Sequence, residues 1–279
     1  AKAAFDIVAT QNNTTVTITP TKPLIGRPAN TTFTITLNKG QTYSCQALYR
    51  NGFNLLNGSK VSSDKPIAVT TKEDLLFTDG TCADLAGDQL VPKPILGTEY
   101  AVVRGNLTTR DKAIVTAMNN NTNVYLNGSA SPSATINAGQ SYEIDITTLP
   151  ALYIKTDKVV SVFHYSGDGC EAGAAIIPKL NCTGSSSVSI VRSNGDNAFV
   201  LLVTKNGNQG NFLMNGTPGV ITAADFSPLN GTGGNYVFCN VARHVACRTV
   251  DFAGIFPREG TATMSSMSAI CVDNNFSAG

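Results

Sequence analysis

The sequence predicts an all-β protein made of tandem repeated antiparallel β units that pack as sandwiches. Apolar and polar residues alternate with a period of two through most of the chain, which is typical of half-buried strands. Asn-Gly dipeptides, the sequence signal of tight hairpins, occur seven times. A set of three segments also occurs twice in the same order. The alternative architecture is a β-propeller in which each group of four strands forms one blade.

The repeat is made of an Asn-Asn-Thr segment, an Asn-x-Gly-Gln segment and an Asp-Lys segment. The two copies occupy residues 12–18, 37–43 and 64–69, and then residues 120–126, 136–142 and 157–162. If the copies are structural repeats, Tyr43 should overlay Tyr142 and Val69 should overlay Val162. Gly40 and Gly139 should then lie in equivalent turns at positive φ, which glycine adopts without strain.

The elements follow from these patterns in chain order. Residues 5–10 and 15–19 alternate on either side of a turn, residues 33–37 and 42–48 form the next pair, and Pro66 opens a strand over 66–70. Residues 75–90 are the best candidate for a short helix, and residues 100–104 form a strand that bridges the copies. The second copy predicts strands over residues 113–117, 123–126, 134–136, 142–146, 152–155 and 159–165. A third, divergent copy has strands over residues 188–191, 198–204, 211–214 and 236–238. The predicted units are 1–95, 96–183 and 184–279.

Composition excludes several classes of function. The 279 residues carry a net charge of +1, and only 14% of them are charged. Without a basic run, the chain has no electrostatic surface for nucleic acid or for an anionic membrane. No apolar stretch approaches the roughly 20 residues of a membrane-spanning helix.

Seven cysteines favour disulfides in an oxidising compartment over zinc binding, because no Cys-x-x-Cys pair is present. The alternative is a set of buried free thiols in a cytosolic protein. The predicted disulfides are Cys170–Cys182, Cys239–Cys247 and Cys45–Cys82, which leaves Cys271 over.

No catalytic site is predicted. His164 lies in an apolar strand, His244 lies between Arg243 and Val245, and neither adjoins a nucleophile-elbow motif. We therefore expect structural or surface roles for both histidines, no enzymatic activity and no cofactor. Any sizeable pocket should lie between units and be lined by Thr, Asn and aliphatic side chains.

A metal site is not predicted either, although one acidic segment is a candidate for calcium. Asp79, Asp84 and Asp88 belong to the densest group of carboxylates, and calcium prefers oxygen ligands. Their spacing matches no EF-hand loop. An exposed loop whose aspartates cap turns is the favoured interpretation.

Several segments resemble the IgGFc-binding protein N-terminal domain family. They are residues 58–69, residues 88–92 followed by 96–100, and the Asn-x-Gly-Gln arrangement of residues 137–142. The resemblance covers residues 5 to about 180. The resemblance implies an extracellular, non-enzymatic module for binding or adhesion, similar to modules of mucus-associated animal proteins and bacterial surface proteins. It does not by itself imply binding of antibody Fc.

The predicted function is therefore a secreted or cell-surface adhesion or binding module. It would present the loops 50–57, 71–87 and 206–234 from a rigid β scaffold to a protein or glycan at a cell surface or in mucus. One alternative is a structural subunit that self-associates into a surface filament or larger secreted complex. The other is a carbohydrate-binding or carbohydrate-processing protein, although the absence of Trp removes the usual sugar-stacking platform.

Overall fold

A computed structural model of the chain confirms the all-β class. It describes residues 2–50, 55–77, 83–107, 109–169, 171–180, 187–191, 198–214, 216–243, 249–254 and 268–270. The described residues form 23 β-strands. Their only helical segments are three short 3-10 turns, at Lys93–Ile95, Gln209–Asn211 and Ala223–Asp225.

The strands fall into three groups, which we call units 1, 2 and 3. Unit 1 contains β1 (Ala3–Ala9), β2 (Thr14–Thr19), β3 (Phe33–Leu37), β4 (Thr42–Gln46), β5 (Lys60–Ser63), β6 (Ile67–Phe77) and β7 (Ala83–Gln89). Unit 2 contains β8 (Gly97–Val103), β9 (Asn106–Leu107), β10 (Lys112–Ala117), β11 (Thr122–Leu126), β12 (Ala134–Ile136), β13 (Ser141–Asp145), β14 (Ala151–Gly169) and β15 (Glu171–Ile177). Unit 3 contains β16 (Ser187–Val191), β17 (Ala198–Lys205), β18 (Phe212–Met214), β19 (Thr217–Pro218), β20 (Ser227–Pro228), β21 (Tyr236–Arg243), β22 (Thr249–Gly254) and β23 (Ser268–Ile270). The predicted limits 1–95, 96–183 and 184–279 stay a prediction.

Each unit contains a pair of sheets with related strand orders. Unit 1 has one sheet in the order β4-β1-β6-β7 and a second in the order β3-β2-β5. In unit 2, β13-β10-β14-β15 and β12-β11-β14-β8 are the corresponding orders, because β14 belongs to both sheets. Unit 3 has β20-β21-β17-β23 and β19-β18-β22-β16. A propeller blade is a single four-stranded sheet, so the paired sheets support the sandwich and not the propeller.

The long strand β14 links the two sheets of unit 2. Its first part pairs with β8 and β11, and its second part pairs with β10 and β15. The register of its pairing with β8 shifts between Lys155 and Val160, where the strand changes sheets. A bulge of this kind lets one strand turn the corner between two packed sheets.

The predicted superposition of the repeats is confirmed in the strand register. Tyr43 and Val69 lie on either side of the same residue of β1, Ile7. Tyr142 and Val162 likewise lie on either side of a single residue of β10. A slip of one residue would have reversed the faces of every side chain, so the two copies share register as well as order.

The turn glycines are also equivalent. Gly40 has φ +80° and Gly139 has φ +81°, as the sequence predicts. The N–H of Gly40 donates to the carbonyl of Ala9, and the N–H of Gly139 donates to the carbonyl of Ala117, each at 2.8 Å. The two turns therefore join equivalent strand ends.

A polar cluster at one end of unit 1 explains why the repeated segments contain these residues. The ammonium of Lys65 donates to the backbone carbonyls of Asn12 at 2.6 Å and Asn13 at 2.9 Å. The carboxylate of Asp64 accepts the N–H of the second residue of β2 at 2.8 Å. The side-chain oxygen of Asn38 accepts the N–H of Asn13 at 3.1 Å. Backbone groups that the turns leave unpaired are satisfied in this way.

Unit 2 contains the same cluster, bond for bond. Lys158 donates to the carbonyls of Asn120 and Asn121, both at 2.7 Å. Asp157 accepts the N–H of the second residue of β11 at 2.8 Å, and Asn137 accepts the N–H of Asn121 at 3.0 Å. The Asn-Asn, Asn-x-Gly-Gln and Asp-Lys segments thus form one hydrogen-bond network in each unit.

Alternating strand residues fill the space between the two sheets of each unit. The fully buried core of unit 1 consists of Phe5, Ile7, Ala9, Val16, Ile18, Leu24, Leu37 and Cys45. The larger core of unit 2 consists of Tyr100, Val102, Ala113, Val115, Ala117, Val124, Ile136, Ile144, Ile146, Leu152, Ile154, Val160, Val162 and Ile177. A third buried cluster joins unit 2 to unit 3 and consists of Ala101, Val103, Ala151, Tyr153, Leu180, Leu201, Val203, Leu229, Tyr236 and Phe238.

Two predictions about residues 71–90 are wrong. The helix candidate over residues 75–90 and the contact loop over residues 71–87 coincide largely with β6 and β7, which pair with each other from Thr70–Gln89 to Phe77–Ala83. The alternation of Asp84, Ala86 and Asp88 with outward-facing Leu85 is a strand pattern that the many small and acidic residues obscure. No helix among the described residues is long and apolar enough to cross a membrane.

Candidate binding surface

A buried polar cluster in unit 2 is the arrangement that comes closest to a catalytic site. The Nε2 atom of His164 lies 2.8 Å from Oδ1 of Asp111, and the hydroxyl of Ser166 donates to Oδ2 of the same carboxyl group. Oδ2 also accepts the N–H of Gly105 at 2.9 Å. The side chains of Asp111, His164 and Ser166 are almost completely buried.

This cluster does not have the geometry of a nucleophilic triad. A triad places the histidine between the nucleophile and the carboxylate, so that the ring can take the proton of the hydroxyl. Here Asp111 lies between His164 and Ser166, and all three are closed to solvent. The cluster therefore satisfies buried polar groups and connects β14 to the loop before β10. His244, the other histidine considered in the sequence, lies outside the described residues.

The calcium candidates take part in the contact between units 1 and 2. Strand β7 of unit 1 lies alongside β15 of unit 2. Asp84 Oδ2 accepts the N–H of Ala172, and Asp88 Oδ2 accepts the N–H of Ile176, each at 2.7 Å. The two carboxylates thus cover the edge of β15 in place of another strand. Asp79 lies outside the described residues, and the described part of the chain contains no group of three side chains that could hold a metal ion.

The predicted disulfides stay predictions, because each pair includes a residue outside the described ranges. Cys170, Cys182, Cys247, Cys82 and Cys271 all lie there. Cys45 is a thiol buried in the core of unit 1, and Cys239 is buried in β21. Burial, together with the nearby negative charge of Asp6, raises the pKa of the Cys45 thiol to about 12.

A shallow polar depression lies between units 2 and 3. Its volume is about 610 Å³, and it is lined by Glu99, Lys205, Asn206, Gly234, Asn235 and Tyr236. The position between units agrees with the sequence expectation. The predicted lining of Thr, Asn and aliphatic side chains is wrong in part, because charged, amide and tyrosine groups form much of the wall.

The phenols beside this depression are held in their neutral form. Burial raises the pKa of Tyr153, and the negative charge and hydrogen bond of Glu99 raise it further. Burial and Glu99 also raise the pKa of Tyr236. Because both rings are buried, the depression offers hydroxyl, carboxylate and amide groups but no exposed aromatic face.

Three exposed apolar side chains lie on two adjoining loops of unit 1, namely Ile25, Leu48 and Tyr49, and we call them the apolar loop cluster. Tyr49 is 55% exposed, Ile25 is 54% exposed and Leu48 is 39% exposed. Tyr49 adjoins the predicted contact loop 50–57, in which Leu55 is also exposed, whereas no sequence pattern indicates Ile25. Large apolar side chains grouped on a surface mark interaction sites more often than single exposed ones do.

Hydrogen bonds between two loops hold this cluster in place. The N–H of Ile25 donates to the carbonyl of Gln46 at 3.0 Å, and the N–H of Leu48 donates to the carbonyl of Pro23 at 2.9 Å. Between them, Leu24 forms a bridge with Ala47 and is itself buried in the core. The apolar side chains are thus displayed from a backbone that is anchored to the sandwich.

Comparison with known proteins gives one match. A family model described as IgGFc binding protein matches residues 1–272, nearly the whole chain. The match includes the C-terminal third, which the segments of the sequence resemblance do not reach. Neither a curated protein nor a solved structure gives a significant match.

Proposed function

The chain belongs to the IgGFc binding protein family, and on that premise we propose that it is an extracellular, non-catalytic module that binds a protein partner. The apolar loop cluster is the surface that would make the contact. Protein interfaces are enriched in aromatic residues and depleted in charge at their centre, and Tyr49 with its apolar neighbours has this character. The anchored loops would lose little conformational freedom on binding, which favours affinity.

The absence of an assembled triad in the described residues supports a binding role over a catalytic one. The buried polar cluster of Asp111, His164 and Ser166 is closed to solvent and cannot reach a substrate. This proposal includes an adhesive role at a cell surface or in mucus, which family membership supports and which the predicted disulfides would suit.

Immunoglobulin Fc is the first partner to test, because the family carries its name. We expect immobilised Fc of IgG to bind the full chain, and we expect Tyr49→Ala or Ile25→Asp to weaken binding by about tenfold or more, as for residues at the centre of an interface. Leu85→Asp is the matched control, since Leu85 is 68% exposed but lies on β7, outside the cluster. Absence of binding, or equal effects of all three substitutions, would contradict the proposal.

The polar depression favours a second candidate, binding of a glycan. Asn206, Asn235 and Glu99 line the depression, and amide and carboxylate groups of this kind bond sugar hydroxyls. A glycan array probed with the wild-type chain and with Asn235→Ala tests this candidate. Binding that is lost with Asn235→Ala but kept with Tyr49→Ala would favour it over the protein interface.

A further inference from the structure

Units 2 and 3 each contain a strand that has no counterpart in unit 1. In unit 2, β8 pairs antiparallel with the first part of β14 and forms the edge of that sheet. In unit 3, β16 pairs antiparallel with β22 at the corresponding place. The equivalent strand of unit 1 is β5, which pairs with β2 on one side. No described strand pairs with its other side.

The core of unit 1 is less completely covered where this strand is missing. Register places Val61 opposite Ile18 in β2, and Ile154 opposite Leu126 in β11. Val61 is half-buried, whereas Ile154 is fully buried.

Two further positions show the same difference. Val69 is half-buried, whereas its counterpart Val162 is fully buried. Ile67 precedes Val69 by two residues and is half-buried, whereas Val160 stands in that place in unit 2 and is fully buried. The core of unit 1 is therefore open on the side where β8 closes unit 2.

The backbone of β5 also has hydrogen-bonding groups that face away from β2. The N–H of Asp64, just beyond β5, donates to the carbonyl of Thr15 at 3.2 Å. Hydrogen-bonding groups of an antiparallel strand point to alternate sides, so the N–H and C=O groups of Val61 and Ser63 point away from β2. These are the groups to which a fourth strand would bond.

The strand β8 shows what chemistry fills such a place. Tyr100 and Val102 of β8 are fully buried in the core of unit 2. The hydroxyl of Tyr100 donates to the carbonyl of Val160 at 2.6 Å, so the phenol fills the core and still has a partner. Glu99 and Ala101 of β8 face away from this core, and Ala101 is buried in the cluster that joins unit 2 to unit 3.

We propose that the free edge of β5 is a binding site for an extended segment of a partner protein, which adds to β5 antiparallel as β8 adds to β14. The segment should carry large apolar side chains two residues apart, one of them opposite Val61. Because Lys60 is exposed on the outward face of β5, an acidic residue opposite it would add a favourable cross-strand pair. Main-chain hydrogen bonds supply affinity in this mode of recognition, and the alternate side chains supply specificity. The site goes beyond the proposed apolar loop interface, and each can fail without the other.

A synthetic peptide with the sequence of β8, Gly-Thr-Glu-Tyr-Ala-Val-Val, is the probe. Site-resolved amide hydrogen exchange of the full chain is measured with and without millimolar peptide. We expect exchange at Val61 and Ser63 to slow by about tenfold or more, because the new strand closes these amides. A control peptide with Asp in place of both the tyrosine and the valine that follows it by two residues should give no protection.

Substitutions in β5 separate strand addition from other modes of binding. Ser63→Pro removes an outward N–H but leaves the ladder to β2 intact, and proline is tolerated at such edge positions. We expect this variant to lose peptide affinity by about tenfold, while Ser62→Ala, whose backbone groups face β2, binds as the wild type does. If Ser63→Pro does not fold, Val61→Asp serves instead, since it places a charge against the incoming apolar side chain.

Three outcomes would overturn the proposal. One is slow exchange at Val61 and Ser63 in the free chain at low concentration, which would mean that another part of the chain already covers the edge. Another is protection that rises with protein concentration without peptide, which would assign the edge to a second copy of the chain. The third is equal protection by the two peptides.

Discussion

At the scale of single residues, the carboxyl group of Asp111 shows how one side chain can organise a buried polar cluster. Three donors converge on it, from His164, Ser166 and Gly105. The fit is close, because a Cβ added to Gly105 would lie 2.1 Å from the Ser166 hydroxyl oxygen. A buried donor without a partner costs more free energy than its hydrogen bond contributes, so the whole cluster depends on this one acceptor.

Replacing Asp111 should therefore be more damaging than replacing any of its donors. We expect Asp111→Ala to lower the free energy of unfolding by about 3–5 kcal/mol, because it leaves buried donors unpaired. Ser166→Ala removes one hydroxyl and its bond together and should cost about 1–2 kcal/mol. Urea unfolding of the two variants measures the difference, and equal costs would contradict the central role of Asp111.

Cys45 gives a prediction about pH. Its pKa is 9.0 in the unfolded reference and about 12 in the fold, because burial disfavours the thiolate. The fold therefore prefers the protonated thiol. The contribution of this preference to stability is complete below pH 9.0 and is lost as pH rises from 9.0 towards 12, at roughly 1.4 kcal/mol per pH unit.

The variant Cys45→Ala isolates this contribution from the tyrosines that also titrate at alkaline pH. Its free energy of unfolding should fall less steeply than that of the wild type above pH 9.0, and the two should run parallel below it. Curves that stay parallel at all pH values would contradict the buried thiol. They would favour the predicted Cys45–Cys82 disulfide.

At the scale of elements, the residues at the turns are the ones by which the repeat can be recognised in the sequence. Lys65 and Lys158 each bond two carbonyls of an Asn-Asn turn, and Asn13 and Asn121 adopt φ +53° and +52° there. Asn tolerates this left-handed conformation better than most residues. The same residues must therefore recur wherever the same turn recurs.

Glycine turns also set how closely the units approach each other. A Cβ added to Gly58 would lie 2.4 Å from the carbonyl oxygen of Gly139 in unit 2. The same kind of approach joins units 2 and 3, where a Cβ on Gly231 would lie 2.2 Å from the carbonyl carbon of Asn127. By contrast, a Cβ on Gly40 would meet nothing within 4 Å.

Gly40→Ala and Gly58→Ala form a matched pair, because their φ angles are +80° and +78°. Gly40→Ala should cost about 1 kcal/mol, which is the backbone strain alone. Gly58→Ala adds a collision with the backbone of Gly139, and we expect a total cost of at least about 2–3 kcal/mol. Equal losses of stability in thermal or urea unfolding would mean that the close approach of the two turns does not constrain the fold.

What the sequence could predict was what short segments encode. The alternation of buried and exposed residues along the strands, the Asn-Gly turns and the equivalence of Tyr43 with Tyr142 all follow from local hydrogen bonding and from the period of two. The sequence does not predict strand β7, because Asp84, Gly87 and Asp88 are poor strand formers. The two aspartates instead accept N–H groups of unit 2. Local propensity cannot reveal an acceptor for the edge of β15.

The candidate site was less predictable than the fold. Asp111 and His164 are 53 residues apart and meet only because β10 and β14 are neighbours. The cluster has no counterpart in unit 1, so the repeat gave no indication of it. The loops that carry Ile25 and Leu48 are joined by a pair of hydrogen bonds that no sequence motif predicts.

At the scale of the whole molecule, the two junctions between units are built differently. Units 2 and 3 share a buried apolar cluster that includes Tyr153, Leu201 and Phe238. Units 1 and 2 meet through the turns at Gly58 and Gly139 and through the carboxylates of Asp84 and Asp88. Apolar burial is non-directional and is spread over many side chains, whereas a junction that depends on two hydrogen-bond acceptors is sensitive to the loss of either one.

We therefore expect the carboxylates to control the attachment of unit 1. Asp84→Ala with Asp88→Ala should speed amide hydrogen exchange at Ala172 and Ile176 by about tenfold or more, because the edge of β15 loses its acceptors. Asp84→Asn with Asp88→Asn is the matched control, since an amide oxygen can still accept both N–H groups. If Asn and Ala variants exchange alike, charge and not the acceptor holds the junction. If neither differs from the wild type, the two strands are held together by other contacts.

In urea, the Asp84→Ala, Asp88→Ala variant should also unfold unit 1 before units 2 and 3, because units 2 and 3 share a buried core and should unfold as one cooperative body.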